Sequence, residues 1–178
     1  HSEVIDGQQR LTTLTILLAV LSNKLQGDDR KALLQYILEP GNKFEGLESK
    51  PRLTVRSRDR DFFASYVQGL KFDELFAMDE KALENESRLN IKRNSQLLDK
   101  YVSEKLGDDV EQIESFTAFL LRKCYLVAVS TPNQKSAFRI FSVMNSRGLD
   151  LQPTDIIKAD TIGMVELEAQ REKYNERW

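Results

Sequence analysis

One junction constrains this chain more than any other stretch: Val4-Ile5-Asp6-Gly7-Gln8-Gln9-Arg10, running directly into the apolar residues of Leu11 to Leu25. Val4 and Ile5 are β-branched and read as the end of a short strand, Gly7 permits a sharp turn, and the following apolar residues recur at helical spacing. A strand therefore hands over to a helix. The first N–H groups of such a helix lack internal partners and face outward with the positive end of the helix dipole, which makes an anion site. Gln8 and Gln9 add neutral donors, and Arg10 offers a planar fork suited to phosphate. Asp6 is compatible with a phosphate only through an intervening metal ion, or else it caps the helix. The residues alone leave two readings open: an anion seat, or a capping Asp6 beside a surface Arg10.

Ile5 to Leu14, IDGQQRLTTL, resembles the DGQQR signature of the GmrSD-type restriction endonuclease N-terminal domain, a bacterial family with a ParB/sulfiredoxin-like core. A second block agrees: Ile140-Phe141-Ser142-Val143-Met144-Asn145-Ser146-Arg147-Gly148, followed by Leu149, Leu151, Asp155, Ile156, Ile157 and Lys158, is similar to the family's IFxxxNxRGxxLxxxDIIK pattern. Two long motifs in the expected order are far more specific than either alone. The resemblance spans nearly the whole chain, with a looser match between the motifs. It implies nucleotide binding and hydrolysis coupled to restriction of modified or foreign DNA, with a separate HNH-like nuclease domain doing the cutting. The family places strands ahead of DGQQR that this chain lacks, so one wall of the nucleotide pocket is expected to be missing and the fragment alone inactive. Gln152 stands where the family prefers serine, a weaker start for the final helix.

At 178 residues the chain is long enough for one domain with a real core. Its 26 Lys plus Arg against 28 Asp plus Glu give no overall basic field of the kind that advertises nucleic-acid binding. A single cysteine, Cys124, excludes an internal disulfide and a four-thiolate zinc site, and fits a reducing cytoplasm. We expect Cys124 to be a buried, inert thiol. Leu11–Leu25 is too short and too interrupted by Thr and Ser to span a membrane, and no signal peptide is recognisable. The absence of an initiating Met and the charged end from Glu166 lead us to expect a piece of a longer protein, with His1 and Ser2 as foreign remnants.

Along the chain, Asp28 or Asp29 is expected to cap a second helix carrying Leu33, Leu34, Ile37 and Leu38, ended by Pro40-Gly41-Asn42. Residues 43–50 read as loop or hairpin, and Arg52–Val55 as a short strand. Arg56, Arg58 and Arg60 then interleave with Asp59 and Asp61 ahead of a helix bearing Phe62, Phe63, Tyr66 and Val67. Asp59 corresponds to an aspartate that the family often carries after this strand. We read the segment as a capped helix start with solvated arginines rather than as a phosphate-touching edge. A short helix around Phe72–Met78, a long one reaching Leu106, and another over Val110–Lys123 follow, with Gly107-Asp108-Asp109 as stop and cap. Tyr125–Thr131 is nearly continuous in Leu, Val and Ala and reads as the central strand. Gln134–Met144 reads as a helix broken at Asn145-Ser146-Arg147-Gly148, and a last helix begins at Pro153.

These readings give an α+β fold, mostly α, with a small ParB/sulfiredoxin-like sheet of Glu3–Ile5, Arg52–Val55 and Tyr125–Thr131 among about seven or eight helices. The 178 residues form one DGQQR-type domain, divided into 3–60, 61–123 and 124–178. His1 is the only histidine and no P-loop occurs, so phosphate chemistry here must use carboxylates, amides, arginines and a recruited metal. We assign Asp6 and Arg10 as catalytic. Gly7, Gln8, Gln9, Arg10, Asn145 and Arg147 bind nucleotide or phosphate, and Asp6 works through Mg²⁺. The alternative for the second cluster is structural, with Asn145 capping carbonyls and Arg147 pairing with Asp150 or Asp155. The expected partners are a nucleoside triphosphate, DNA and an HNH-like nuclease, with no membrane. The alternative function is a non-catalytic module that senses a nucleotide or DNA phosphate and docks a nuclease.

Overall fold

The apolar periodicity of Leu11–Leu25 produces α1 (Gln8–Lys24) in a computed structural model that describes residues 3–133 together with Ser136, Ala137 and Ile140. Ile16, Ala19, Val20 and Leu21 are buried and Leu14, Leu17 and Leu18 half-buried, so the wide apolar surface of α1 is covered on most sides. Its last carbonyls are held from outside the helix. Arg30 donates from Nε to the Ser22 carbonyl at 3.0 Å and from Nη2 to the Asn23 carbonyl at 2.8 Å. Cations suit that end of a helix dipole, and Lys24 in the last turn pairs with Asp99 at 3.2 Å.

The second helix is shorter than its apolar spacing suggests. α2 spans Gly27–Leu34, and Leu38–Glu39 instead form β1, because Pro40 disfavours helical backbone at the residue before it. Neither Asp28 nor Asp29 caps α2. Gln26 holds that position without a side-chain bond, while Asp28 pairs with Lys31 at 2.9 Å. β1 pairs antiparallel with β2 (Lys50–Pro51), Leu38 opposite Pro51 and Glu39 opposite Lys50. The intervening residues are an ordered hairpin with an Asn42–Leu47 bridge. At Gly41 the chain passes so close to Leu47, Glu48 and Ser49 that a Cβ would meet backbone at 2.5 Å.

α3 (Ser57–Phe63) runs without a break into a π-helical segment, Ala64–Gln68. It is followed by α4 (Phe72–Ala77), α5 (Glu86–Leu106) and α6 (Val110–Lys123). Asp109 caps α6 as the sequence suggests, accepting from the Glu111 and Gln112 amides. Gln9–Tyr125 form one compact unit, and the residues on either side belong to another. The core of the larger unit gathers Ile16, Val20 and Leu21 of α1, Leu33 and Ile37, Phe62, Phe63 and Val67, Phe72 and Leu75, Ile91 and Val102, and Ile113. The fold is therefore α+β and mostly α, as expected.

Its strands lie elsewhere than expected. Glu3–Ile5 form no ladder; the Val4 carbonyl instead accepts from Gln8 Nε2 at 2.8 Å, a local bond in place of a neighbour strand. Arg52–Val55 is not a strand either. The pairing falls just before it, and the Leu53 carbonyl accepts from the buried Gln68 side chain at 2.9 Å. Tyr125–Thr131 is unpaired among the described residues, with Tyr125 85% and Val127 91% exposed. An apolar run states a preference for burial but cannot supply the backbone partner a strand requires. For the same reason Cys124, at the end of α6, is exposed rather than buried. Asn133 starts a helical turn, accepting from the Ser136 amide at 2.8 Å; most of the Gln134–Met144 helix and the helix from Pro153 lie outside the described residues.

Phe63 is the largest fully buried side chain. Phe63→Ala is expected to lower stability by about 3–5 kcal/mol, read as a shift in the urea midpoint with an unchanged slope.

Candidate functional site

The turn before α1 is ordered by its own polar groups. Gly7 has φ 88°, the left-handed region that favours glycine, and its amide donates to Asp6 Oδ1 at 2.7 Å. Gln8 reaches back to the Val4 carbonyl. Asp6, Gln8, Gln9 and Arg10 are all exposed, and the first turn of α1 contains no acidic residue. The turn thus offers solvent a glutamine pair and a guanidinium at the positive end of a 17-residue helix. It also carries its own carboxylate on the Gly7 amide, so an incoming anion must displace Asp6 there or share it through a cation. Asn145 and Arg147, the second expected cluster, lie outside the described residues.

A divalent cation at this turn would draw on one carboxylate of the chain, Asp6. Among the described residues there is no group of three or more His, Cys, Asp or Glu side chains able to hold a metal. One carboxylate with water and phosphate oxygens completing the shell suits Mg²⁺, which keeps much of its hydration and is commonly shared with substrate phosphates.

A second polar centre is buried, and the sequence did not single out most of its members. Arg56, Arg58 and Arg60 are exposed as expected, but Asp59 between them is 1% exposed. It is not a helix cap. Asp59 Oδ1 accepts from Asn85 Nδ2 at 2.9 Å and lies 3.5 Å from Arg88 Nε, while Oδ2 lies 3.6 Å from Arg58 Nε. Arg88 also donates to the Arg58 carbonyl at 2.8 Å, pairs with Glu84 at 3.0 Å, and rests 5.2 Å from the Phe62 ring centroid. Asn85 has two tasks, since its Oδ1 caps α5 by accepting the Arg88 amide. One signal for this centre is visible in the sequence: Arg88 falls three residues before Ile91 and seven before Ser95, on the inward stripe of α5.

Burial pushes the Asp59 carboxyl up, but hydrogen bonds from Asn85 and Ser87 and the charges of Arg58 and Arg88 outweigh it and hold it below its ordinary value. A depressed folded-state value means that the stabilisation is complete above the unfolded value, about 3.9, and lost as pH falls through the folded one. Asp59→Asn is expected to be less stable than the parent by about 1.5–3 kcal/mol at pH 7. The deficit should shrink on acidification below about pH 4, as measured by urea unfolding across that range.

These features define a mostly helical α+β domain with a polar, helix-leading turn at its N-terminal end and a buried Asp–Arg tie between two later helices. Residues 1–162 match the family model described as GmrSD restriction endonuclease, N-terminal domain, and the chain belongs to that family. No curated protein and no solved structure matches it significantly.

Proposed function

We propose that the chain is the nucleotide-binding, regulatory part of a bacterial, cytoplasmic DNA-restriction system, and that the Asp6–Arg10 turn receives the phosphates of a nucleoside triphosphate. Family membership supports the restriction context. The observation that carries the nucleotide reading is the exposed turn itself, with Gly7 in left-handed backbone, Gln8, Gln9 and Arg10 opening the first long helix, and no acidic residue in the helix's first turn. Backbone amides and helix dipole favour phosphate there, and Arg10 offers bidentate recognition of its oxygens.

Asp6 sets the condition on binding. Its carboxylate holds the Gly7 amide and repels a triphosphate, so Mg²⁺ accompanying the nucleotide would supply the charge neutralisation that makes the two compatible. Hydrolysis further requires a positioned water, for which Asp6 is the candidate base or orienting group. Asn145 and Arg147 are proposed to complete the phosphate contacts. A nuclease domain or subunit of HNH type is the proposed partner that cleaves DNA, the sole histidine of this chain being His1. Among the described residues no helix is long and apolar enough to cross a membrane.

A non-catalytic reading, in which the same turn senses nucleotide or DNA phosphate and docks a nuclease, differs in one measurable respect. In the full-length protein, Arg10→Ala is expected to abolish nucleotide binding by calorimetry, and unchanged affinity would remove the assignment. Asp6→Asn should weaken the Mg²⁺ dependence of binding and stop phosphate release. Binding without any phosphate release from the parent protein would favour the sensing module.

A further inference from the structure

The β1–β2 hairpin ends in a feature that neither the core nor the Asp6–Arg10 turn explains. Phe44, at its tip, is fully exposed. Single surface hydrophobics are common and need no explanation. This one is held out by an ordered frame: its amide donates to Asn42 Oδ1 at 3.0 Å, Asn42 and Leu47 bridge beneath it, and Gly46 at φ 66° closes the short 3₁₀ turn Lys43–Glu45. A phenyl ring fixed in water on a hydrogen-bonded finger gains by entering an apolar recess.

The same chain contains such a recess. Phe62, Tyr66, Met78 and Leu83 line an open cleft of about 360 Å³, with Asp61 and Arg88 among its polar lining. Phe62 and Tyr66 are already a tilted ring pair at 5.0 Å, and the Arg88 guanidinium sits over the Phe62 ring. A third ring entering there meets aromatic faces and edges and a cation, the surroundings a phenyl group prefers. The charges agree as well. The finger presents Lys43 and Glu45 on either side of Phe44, and the cleft presents Asp61 and Arg88. A seating that places Lys43 beside Asp61 leaves Glu45 to face the basic side. The hairpin is less suited to DNA, since Lys43, Lys50 and Arg52 are offset by Glu39, Glu45 and Glu48.

We infer that the Phe44 finger docks into the Phe62–Tyr66–Leu83 cleft of a second copy of this chain, in a head-to-tail contact. Finger and cleft are different surfaces, so each copy has one of each and the contact does not close on itself as a two-fold pair would. The contact is small and therefore of modest affinity.

The test uses two variants whose changed side chains are exposed in the folded chain, Phe44→Ser on the finger and Ala82→Arg on the cleft rim. The parent chain should show concentration-dependent self-association by sedimentation equilibrium. Each variant alone should associate at least about tenfold more weakly. Mixing them should restore a single contact, the intact Phe44 of one variant in the intact cleft of the other, and give a one-to-one heterodimer that grows no further. The inference is overturned if the parent stays monomeric to its solubility limit, if either variant associates like the parent, or if the mixture stays monomeric. Loss of duplex-DNA affinity in Phe44→Ser with unchanged mass would likewise overturn it, assigning the finger to nucleic acid.

Discussion

Asp59 sits where two helices begin, and its carboxylate binds the two together. A buried carboxylate is tolerated only when opposite charge and hydrogen bonds replace the water it loses. Asn85 and Arg88, from the cap and first turn of α5, supply them for a residue in the first turn of α3. The arrangement is mutual. Asn85 cannot cap α5 and hold Asp59 unless both helix starts are in register, so the tie fixes the two elements against each other at one point. Apolar contact alone would permit sliding, because hydrophobic burial has no preferred direction.

From that point the larger unit follows. With α3 held at its start, Phe62 and Phe63 point from one turn toward opposite duties: Phe63 enters the core, while Phe62 lies beneath Arg88 and lines the cleft. The π-helical continuation widens the turn before the chain reverses at Gly69 and Leu70, the latter at φ 56°. It also buries Gln68, whose amide satisfies the Leu53 carbonyl where a strand ladder was expected. Lys92, buried one turn beyond Arg88, donates to the Met78 carbonyl and so ties α5 to the segment after α4. Polar side chains thus do in this unit what a larger sheet would otherwise do: they satisfy the backbone of connecting segments while helices supply the apolar core.

How much of this is legible in the sequence depends on whether the signal is periodic or relational. The 3.6-residue spacing announced α1, α5 and α6, and Gly107 with Asp109 marked a boundary the structure keeps. These are properties of one segment. Strands are properties of two, and here the sequence misleads: Leu38–Glu39 were taken into a helix although Pro40 excludes it, and Tyr125–Thr131 is apolar enough for a sheet centre yet has no partner among the described residues. Asp59 shows the same limit from the polar side. Its neighbours are exposed arginines, and nothing adjacent in sequence reveals that a cap residue 26 positions away will bury it. At the candidate site, left-handed Gly7 and the exposed Gln8, Gln9 and Arg10 were readable from residue types, whereas the bond between Asp6 and the Gly7 amide was one of two open possibilities.

That bond changes what the turn can be. An empty helix start would accept any anion indifferently, with affinity set by amides and guanidinium alone. A start already satisfied by its own carboxylate has a resting state, and a ligand must compete with it. The competition is unequal among ligands, because a bare sulfate or phosphate meets the Asp6 charge directly, whereas a nucleotide that arrives with a divalent cation turns the same carboxylate from a repulsive neighbour into a favourable one. On the proposed reading Asp6 is therefore a selector rather than an obstacle: it leaves the turn closed to free anions and opens it to the metal-bound triphosphate, a distinction that Arg10 and the helix dipole cannot make.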